Sequence, residues 1–322
     1  GFHSGMGNRV WLEIDLAKLR ANLARIRHAV HPARVIAVLK ANAYGLGVVP
    51  IAEALAEDGV AAFAVAEPKE ALELAPLGLP VQILGDVLND ELPATVQAGI
   101  IHPVTSLASA REISAEGVRQ GREVECHFLI DTGMGRLGIL TDEAVPVIRE
   151  AVRLPKLKCA GIYTHFPVAY RAGEAFTTDQ VTEFRNILDV LAGEGICFEK
   201  IHVANSDAVN NFPFTADAPF NYVRTGINLH GSFDTEGRRA LQLESVLTLK
   251  SRLVAIRTLP AGMQIGYGRT HTLMADTRVG TVAAGYADGL PLARSNRGYL
   301  LVHGQLCPIL GRVSMDYNTI SL

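Results

Sequence analysis

Short, mostly apolar runs recur through the first two thirds of the chain, at 35–39, 61–65, 81–84, 100–104, 125–130, 159–164, 200–204 and 222–225. The most apolar of them, 35–39, does not alternate with polar positions, which is the pattern of a strand buried on both faces in a parallel sheet. Between the runs, apolar positions return every three or four residues at 51–57, 68–77, 108–120, 142–154 and 179–194, the period of helices with one buried face. Strand and helix in alternation require a parallel sheet. Eight such units predict a closed (β/α)8 barrel, a TIM barrel, with an open doubly wound sheet as the second architecture.

Helical periodicity stops near residue 243, and strand-like runs follow at 246–258, 278–283, 299–302 and 307–310. Turn signals such as Pro260-Ala261-Gly262 and His303-Gly304-Gln305 separate them. This divides the chain into a barrel over 9–240 and a C-terminal all-β domain over 241–322. The strand-like segment 10–15 precedes the first helix and is free to pair with the β domain instead of the barrel.

Composition narrows the partners. A chain of 322 residues with 48% hydrophobic and 20% charged positions has ample material for a large core. A net charge of −3 and an isoelectric point near 6.4 give no electrostatic reason to expect nucleic acid or an anionic membrane, so a small molecule is the expected substrate. No apolar stretch approaches the roughly 18 to 20 residues of a membrane span. Gly1-Phe2-His3-Ser4-Gly5 reads as a remnant of expression engineering and carries no part of the fold argument. Cysteines at 126, 159, 197 and 307 lack metal-ligand spacing and read as buried, reduced thiols of a cytoplasmic protein.

Lys40 leaves the predicted strand 35–39 at its carboxyl end, where α/β folds build their active sites. A partly desolvated amine there is a candidate nucleophile toward a carbonyl cofactor, although a strand-end lysine is far more often simply solvated. Its neighbours favour chemistry: Tyr44 offers a hydroxyl to a phosphate, and Gly45 and Gly47 permit close backbone approach. Arg136, His165, Asn205, Ser206 and Arg224 stand at the ends of other predicted strands, so the barrel would converge them on one mouth. For each the plain alternative stays open: a turn with a solvated arginine at 131–138, a core histidine at His165, a structural ion pair at Arg224. Gly226-Ile227 could hold an anion on two backbone amides.

Together the segments 38–47, 131–138, 161–166, 204–206, 223–231, 266–268, 285–289 and 311–316 resemble, in order, the successive motifs of the alanine racemases, fold-type III pyridoxal-phosphate enzymes. The resemblance runs from Trp11 to the last residue, and it is the order of eight motifs that makes it specific. It implies a barrel followed by a β domain, a pyridoxal phosphate cofactor, a cytoplasmic homodimer with shared active sites, and a part in D-alanine supply for peptidoglycan precursors. It implies that Lys40 binds the cofactor covalently and exchanges the α-proton on one face of the substrate, while Tyr267 of the other subunit does so on the opposite face. Tyr44, Ser206, Gly226 and Ile227 would hold the phosphate, with Asn205 and His165 beside the cofactor. Arg224 would face the pyridine nitrogen and, keeping its proton, leave that nitrogen unprotonated. Arg136 would contact the cofactor's phenolic oxygen and the substrate carboxylate, with Tyr286, Met315 and Asp316 completing the substrate site.

The chain departs from this pattern at five positions and at its end. Leu129 stands where many members have a carbamylated lysine that holds the arginine corresponding to Arg136, so a chloride or another carboxylate is expected there instead. Tyr170 and Leu292 replace an aspartate and an arginine lining the substrate entrance, which leaves strict alanine specificity open and a broader or serine racemase as the alternative. His230 and His271 stand where tyrosines are usual. The family also continues past Leu322 with a further phosphate-contacting tyrosine, so a missing tail is expected, since removing strands would leave open sheet edges. More distant alternatives are an amino-acid decarboxylase of the same fold, disfavoured by Tyr267, and a non-catalytic cofactor-binding protein, disfavoured by the β domain.

Overall fold

The computed structural model describes residues 9–39, 49–226, 241–288 and 290–322. The chain forms two compact units, one of residues 15–246 and one of residues 1–14 with 247–322. The segment β1 (Val10–Ile14) belongs to the second unit, where it pairs antiparallel with β11 (Leu247–Ser251), Trp11 opposite Lys250.

The larger unit begins with α1 (Leu16–Val30), capped by Asp15, whose carboxylate accepts from Lys18 N at 3.1 Å. Loss of such a cap costs about 1 kcal/mol. Leu19, Leu23, Ile26 and Val30 form its buried stripe. Strand and helix then alternate: β2 (Arg34–Val38), α2 (Val49–Glu57), β3 (Ala62–Val65), α3 (Pro68–Leu74), β4 (Val81–Ile83), α4 (Leu92–Gln97), β5 (His102–Val104) and α5 (Leu107–Gln120). They continue through β6 (Val124–Asp131), the short β7 (Ile139–Leu140), α6 (Thr141–Ala151), β8 (Leu157–Tyr163), α7 (Ala175–Gly193), β9 (Lys200–His202), α8 (Ser206–Asn211) and β10 (Tyr222–Thr225).

The strands run in the order β4-β3-β2-β10-β9-β8-β6-β5, all parallel, with β7 beside β6. A parallel bridge between Gln82 and Ile101, with Ile83 N donating to Ile101 O and Ile101 N to Val81 O, joins the two ends. The eight-stranded barrel is therefore nearly closed, its last seam made by this one bridge. Burial of β3 along its whole length, Ala62–Val65, is what a strand between a filled interior and a helical layer requires, and it explains the uninterrupted apolar run there.

In the smaller unit, β12 (Leu253–Leu259), β13 (Gln264–Ile265), β14 (His271–Thr272), β15 (Thr277–Val282), β16 (Tyr299–Val302), β17 (Gln305–Leu310) and β18 (Asn318–Ser321) follow β11. Five of these form a sheet in the order β12-β15-β18-β17-β16, and β13 pairs with β14. Val282, Ala284, Cys307, Ile309, Val313 and Ile320 pack as its core. The single strand expected over 246–258 is two strands, interrupted at Arg252. The thiols also depart from expectation: Cys126 and Cys307 are buried, but Cys159 is half-buried and Cys197 is exposed. Among the described residues no helix is long and apolar enough to cross a membrane.

Candidate active site

The carboxyl ends of the barrel strands carry a connected polar cluster built around Arg224, the third residue of β10, which is 3% exposed. Its Nη2 donates to the Thr164 carbonyl at 2.7 Å and to the Val203 carbonyl at 3.3 Å. Its Nη1 donates to His202 Nδ1 at 2.7 Å and to the His202 carbonyl at 3.2 Å. His165, at the end of β8, places Nδ1 3.3 Å from Nη2. Tyr163 stacks on His202 with ring centroids 4.9 Å apart and lies beneath the guanidinium at 5.6 Å.

Burial dominates the electrostatics of this cluster. It pushes His165 down to about 3, helped by the charges of Arg224 and Arg136, and holds His202 well below its ordinary value for the same first reason. Both rings are therefore neutral, and a guanidinium can only donate to them. Burial also lowers Arg224 to about 10, which leaves it charged at neutral pH.

Neighbouring strand ends are braced from outside. Gln180 of α7 donates to Thr132 Oγ1 at 3.0 Å and to the His165 carbonyl at 3.1 Å, while Thr132 and Thr164 share a hydroxyl contact of 2.7 Å. The glycine-rich loop after β6 turns around Asp131, whose Oδ1 accepts from Gly133 N at 3.0 Å and Gly135 N at 3.1 Å. Arg136 projects from this loop and is exposed. Among the described residues no carboxylate pairs with it, so the alternative of a replacement acid is not met there. Leu129, 1% exposed, is part of the apolar interior.

Asn205 caps α8, accepting from Ala208 N at 2.9 Å. Beside it Ser206 Oγ accepts from Gly226 N at 3.2 Å, joining the ends of β9 and β10. A Cβ on Gly226 would lie 3.0 Å from the Val38 carbonyl and 3.2 Å from Val38 Cβ, so only glycine lets this backbone come so close to the end of β2. Lys40, Tyr44, Ile227 and His230 lie outside the described residues.

Of the sequence-predicted residues of the smaller unit, Tyr286 and Met315-Asp316 are brought together by backbone contacts, and Tyr267 stands on a separate turn. Tyr267 sits between Gly266 and Gly268, at φ 72° and 73°, and is 71% exposed. Tyr286 N donates to the Ser314 carbonyl at 3.0 Å and Ala287 N to the Met315 carbonyl at 3.0 Å, which joins the Tyr286 and Met315-Asp316 segments. A Cβ on Gly285 would come 2.2 Å from the Ser314 carbonyl, so that junction needs glycine.

Sequence reasoning missed His202 and Tyr163. Their signal was a polar or aromatic side chain in a short buried strand, His202 at the end of β9 and Tyr163 beside it in register on β8.

Pyridoxal phosphate takes a charged partner, acid or arginine, at its ring nitrogen, an amide and hydroxyl cradle for its phosphate, and a lysine. Arg224 and the Ser206–Gly226 pair, at a backbone approach that a Cβ on Gly226 would crowd, fit such a group. Residues 14–233 match the family model "Alanine racemase, N-terminal domain", and residues 246–322 match "Alanine racemase, C-terminal domain". An alanine racemase of Desulforamulus reducens is 36% identical over 317 residues, covering 97% of this chain and 85% of that protein. The solved alanine racemase of Clostridium difficile 630 superposes with a TM-score of 0.90 at 30% identity, over 98% of this chain and 84% of that one. The alanine racemase of Bartonella henselae, solved with covalently bound pyridoxal phosphate, has a TM-score of 0.84 at 27% identity, over 98% and 86%.

Proposed function

This chain belongs to the alanine racemase family, and we propose on that premise that it interconverts L- and D-alanine with pyridoxal phosphate, Lys40 and Tyr267 serving as bases on opposite faces of the substrate. The single observation that carries the site reading is Arg224, a buried cation held by carbonyl and imidazole acceptors at the mouth of the barrel. When bound, the cofactor supplies an electron sink that makes the α-hydrogen of an attached amino acid acidic.

The chain's own residues do the rest. Arg224 keeps its proton and would face the ring nitrogen as a donor, leaving that nitrogen unprotonated, which would limit side reactions such as transamination. Ser206 and Gly226, with Tyr44 and Ile227, would hold the phosphate, and Asn205 caps the helix that Ser206 begins. Lys40 removes or returns the proton on one face. Tyr267, supplied by the partner subunit, does so on the other, and inversion needs both. A phenol serves as a base at neutral pH only if its anion is favoured, and the Nε2–H of neutral His165, backed by Arg224, is the donor that favours it.

The barrel, 9–240, thus holds the cofactor, and the β domain, 241–322, contributes Tyr267, Tyr286, Met315 and Asp316 to the neighbouring copy's site. Exposure of Tyr267, Tyr286 and Met315 supports a homodimer, since each side chain has room for a partner. Arg136 takes an anion such as chloride where other members use a carbamylated lysine, and it orients the substrate carboxylate. The reading places the enzyme in the cytoplasm, feeding D-alanine to peptidoglycan precursors. Incubation with L-alanine and the cofactor should end in a racemic mixture. Release of carbon dioxide from labelled substrate without racemisation would sink this reading.

A further inference from the structure

The barrel interior holds a polar column that the chemistry at its mouth does not require. Glu125 lies at the start of β6 and Lys200 at the start of β9, at the end of the barrel opposite His165, Asn205 and Gly226. Lys200 Nζ donates to Glu125 Oε2 at 2.8 Å, and His127 Nε2 lies 2.9 Å from the same oxygen. His127 Nδ1 is 3.4 Å from His202 Nε2, and His202 Nδ1 is 2.7 Å from Arg224 Nη1. The His127 ring occupies the space beside Gly161, where a Cβ would come 2.5 Å from His127 Cγ. Glycine at 161 is what admits the ring.

One arrangement of protons satisfies every contact. Arg224 only donates, so His202 Nδ1 is bare and its proton is on Nε2. That N–H donates to His127 Nδ1, and His127 Nε2–H donates to the Glu125 carboxylate. Both rings are neutral and every donor points the same way, from the guanidinium down to the carboxylate. Burial favours the neutral form of His127. Burial works to raise the Glu125 carboxyl, but the hydrogen bonds from His127 and Lys200 outweigh it and hold the group at about 2, so it stays charged. Among the described residues no carboxylate pairs directly with Arg224.

We propose that Glu125 is a positioning residue that acts on Arg224 through His127 and His202 from the far end of the barrel. Its charge polarises the column, since hydrogen bonds in series strengthen one another in a low-dielectric interior. It thereby holds the guanidinium in one orientation and moderates how strongly it donates at the cofactor end. That last consequence rests on the proposed role of Arg224; the column itself does not. The groups facing the column are few. Glu125 meets His127 on its own strand and Lys200 on β9, with Lys158 opposite it on β8. His202 meets Arg224, His127, His165 and Lys200, with Tyr163 stacked on its ring.

Glu125→Gln removes the negative charge, whereas Lys200→Met removes the positive charge that competes for it. In holoenzyme labelled with 15N-histidine, the downfield ring N–H protons of both His127 and His202 should move upfield in Glu125→Gln and downfield in Lys200→Met. The limbs of the kcat/KM pH profile should shift to lower pH in the first variant and to higher pH in the second, each by on the order of half a pH unit. A purely structural role would lower the melting temperature in both and leave the His202 resonance still. A response confined to His127, or pH shifts of the same sign in both variants, would overturn the proposal. If Glu125→Gln does not fold, Lys200→Met decides alone, because it leaves the column intact. The ring protons are read without substrate, so a wild-type protein that fails to racemise alanine counts against the functional reading and not against the column.

Discussion

Arg224 Nη2 lies 3.3 Å from His165 Nδ1, and because a guanidinium can only donate, that ring nitrogen is bare and the proton of His165 sits on Nε2. The ring also has a backbone hydrogen bond to the Leu84 carbonyl, which works to raise a value that burial and the charges of Arg224 and Arg136 hold down.

Lysine at position 224 would keep the charge and lose the fork. A single ammonium cannot serve His202, His165 and the Thr164 carbonyl together. Arg224→Lys should lower kcat by on the order of 10²-fold and reduce the melting temperature, because buried acceptors lose their donor. Steady-state kinetics and thermal unfolding of the variant check both effects, and a kcat close to that of the wild type would contradict them.

Gly226→Ala tests the phosphate cradle. The new Cβ would stand 3.0 Å from the Val38 carbonyl, and the backbone on that side has little room to give. The Gly226 amide should then move away from Ser206, weakening cofactor affinity about 10-fold, which corresponds to about 1.4 kcal/mol. Titration of the visible band with pyridoxal phosphate measures this. Unchanged affinity would show that the close approach to Val38 has no bearing on the cradle.

Buried neutral histidines make the fold acid-sensitive. His102 donates from Nδ1 to the Ile100 carbonyl at 2.8 Å and accepts from Thr95 Oγ1 at 2.7 Å, and burial lowers it from 6.5 to about 4. A folded value below the unfolded one means that the unfolded chain takes up the proton first as pH falls. The contribution is therefore complete above about pH 6.5 and is lost as pH drops toward 4, with His165 extending the loss toward 3. Melting temperature measured against pH should fall across this window. His102→Gln should flatten the slope between pH 4 and 6 while lowering stability at pH 7.5.

The eight barrel strands were legible because parallel strands buried on both faces leave apolar runs such as Phe63, Ala64 and Val65. Residues at strand ends, such as His165 and Arg224, stood out because polar side chains close those runs. The Glu125-His127-His202 column did not stand out. Glu125 and His127 lie inside β6 rather than at the mouth, two residues apart, and their shared face points inward only once that strand's inward side is known, while His202 closes a strand of only three residues. Short helices were also illegible: α4 and α8 have six residues each, too few for a helical period to register. The division of 246–258 at Arg252 escaped because one arginine in a β-rich run reads as an exposed strand position.

Shared active sites can be tested by mixing. Lys40→Ala and Tyr267→Phe should each be nearly inactive as homodimers. Refolding the two together should restore up to a quarter of wild-type activity, about the share of sites that pair a native Lys40 with a native Tyr267 in a random mixture of dimers. No recovery, with dimers verified by sedimentation, would contradict Tyr267 acting across a subunit interface.

The central claim is that two opposed bases each serve one face, and the most direct measurement follows α-proton exchange with deuterated solvent from L-alanine and D-alanine separately in Tyr267→Phe. The account predicts that exchange from one enantiomer falls by on the order of 10² or more while exchange from the other persists through Lys40. Equal loss from both enantiomers would contradict it.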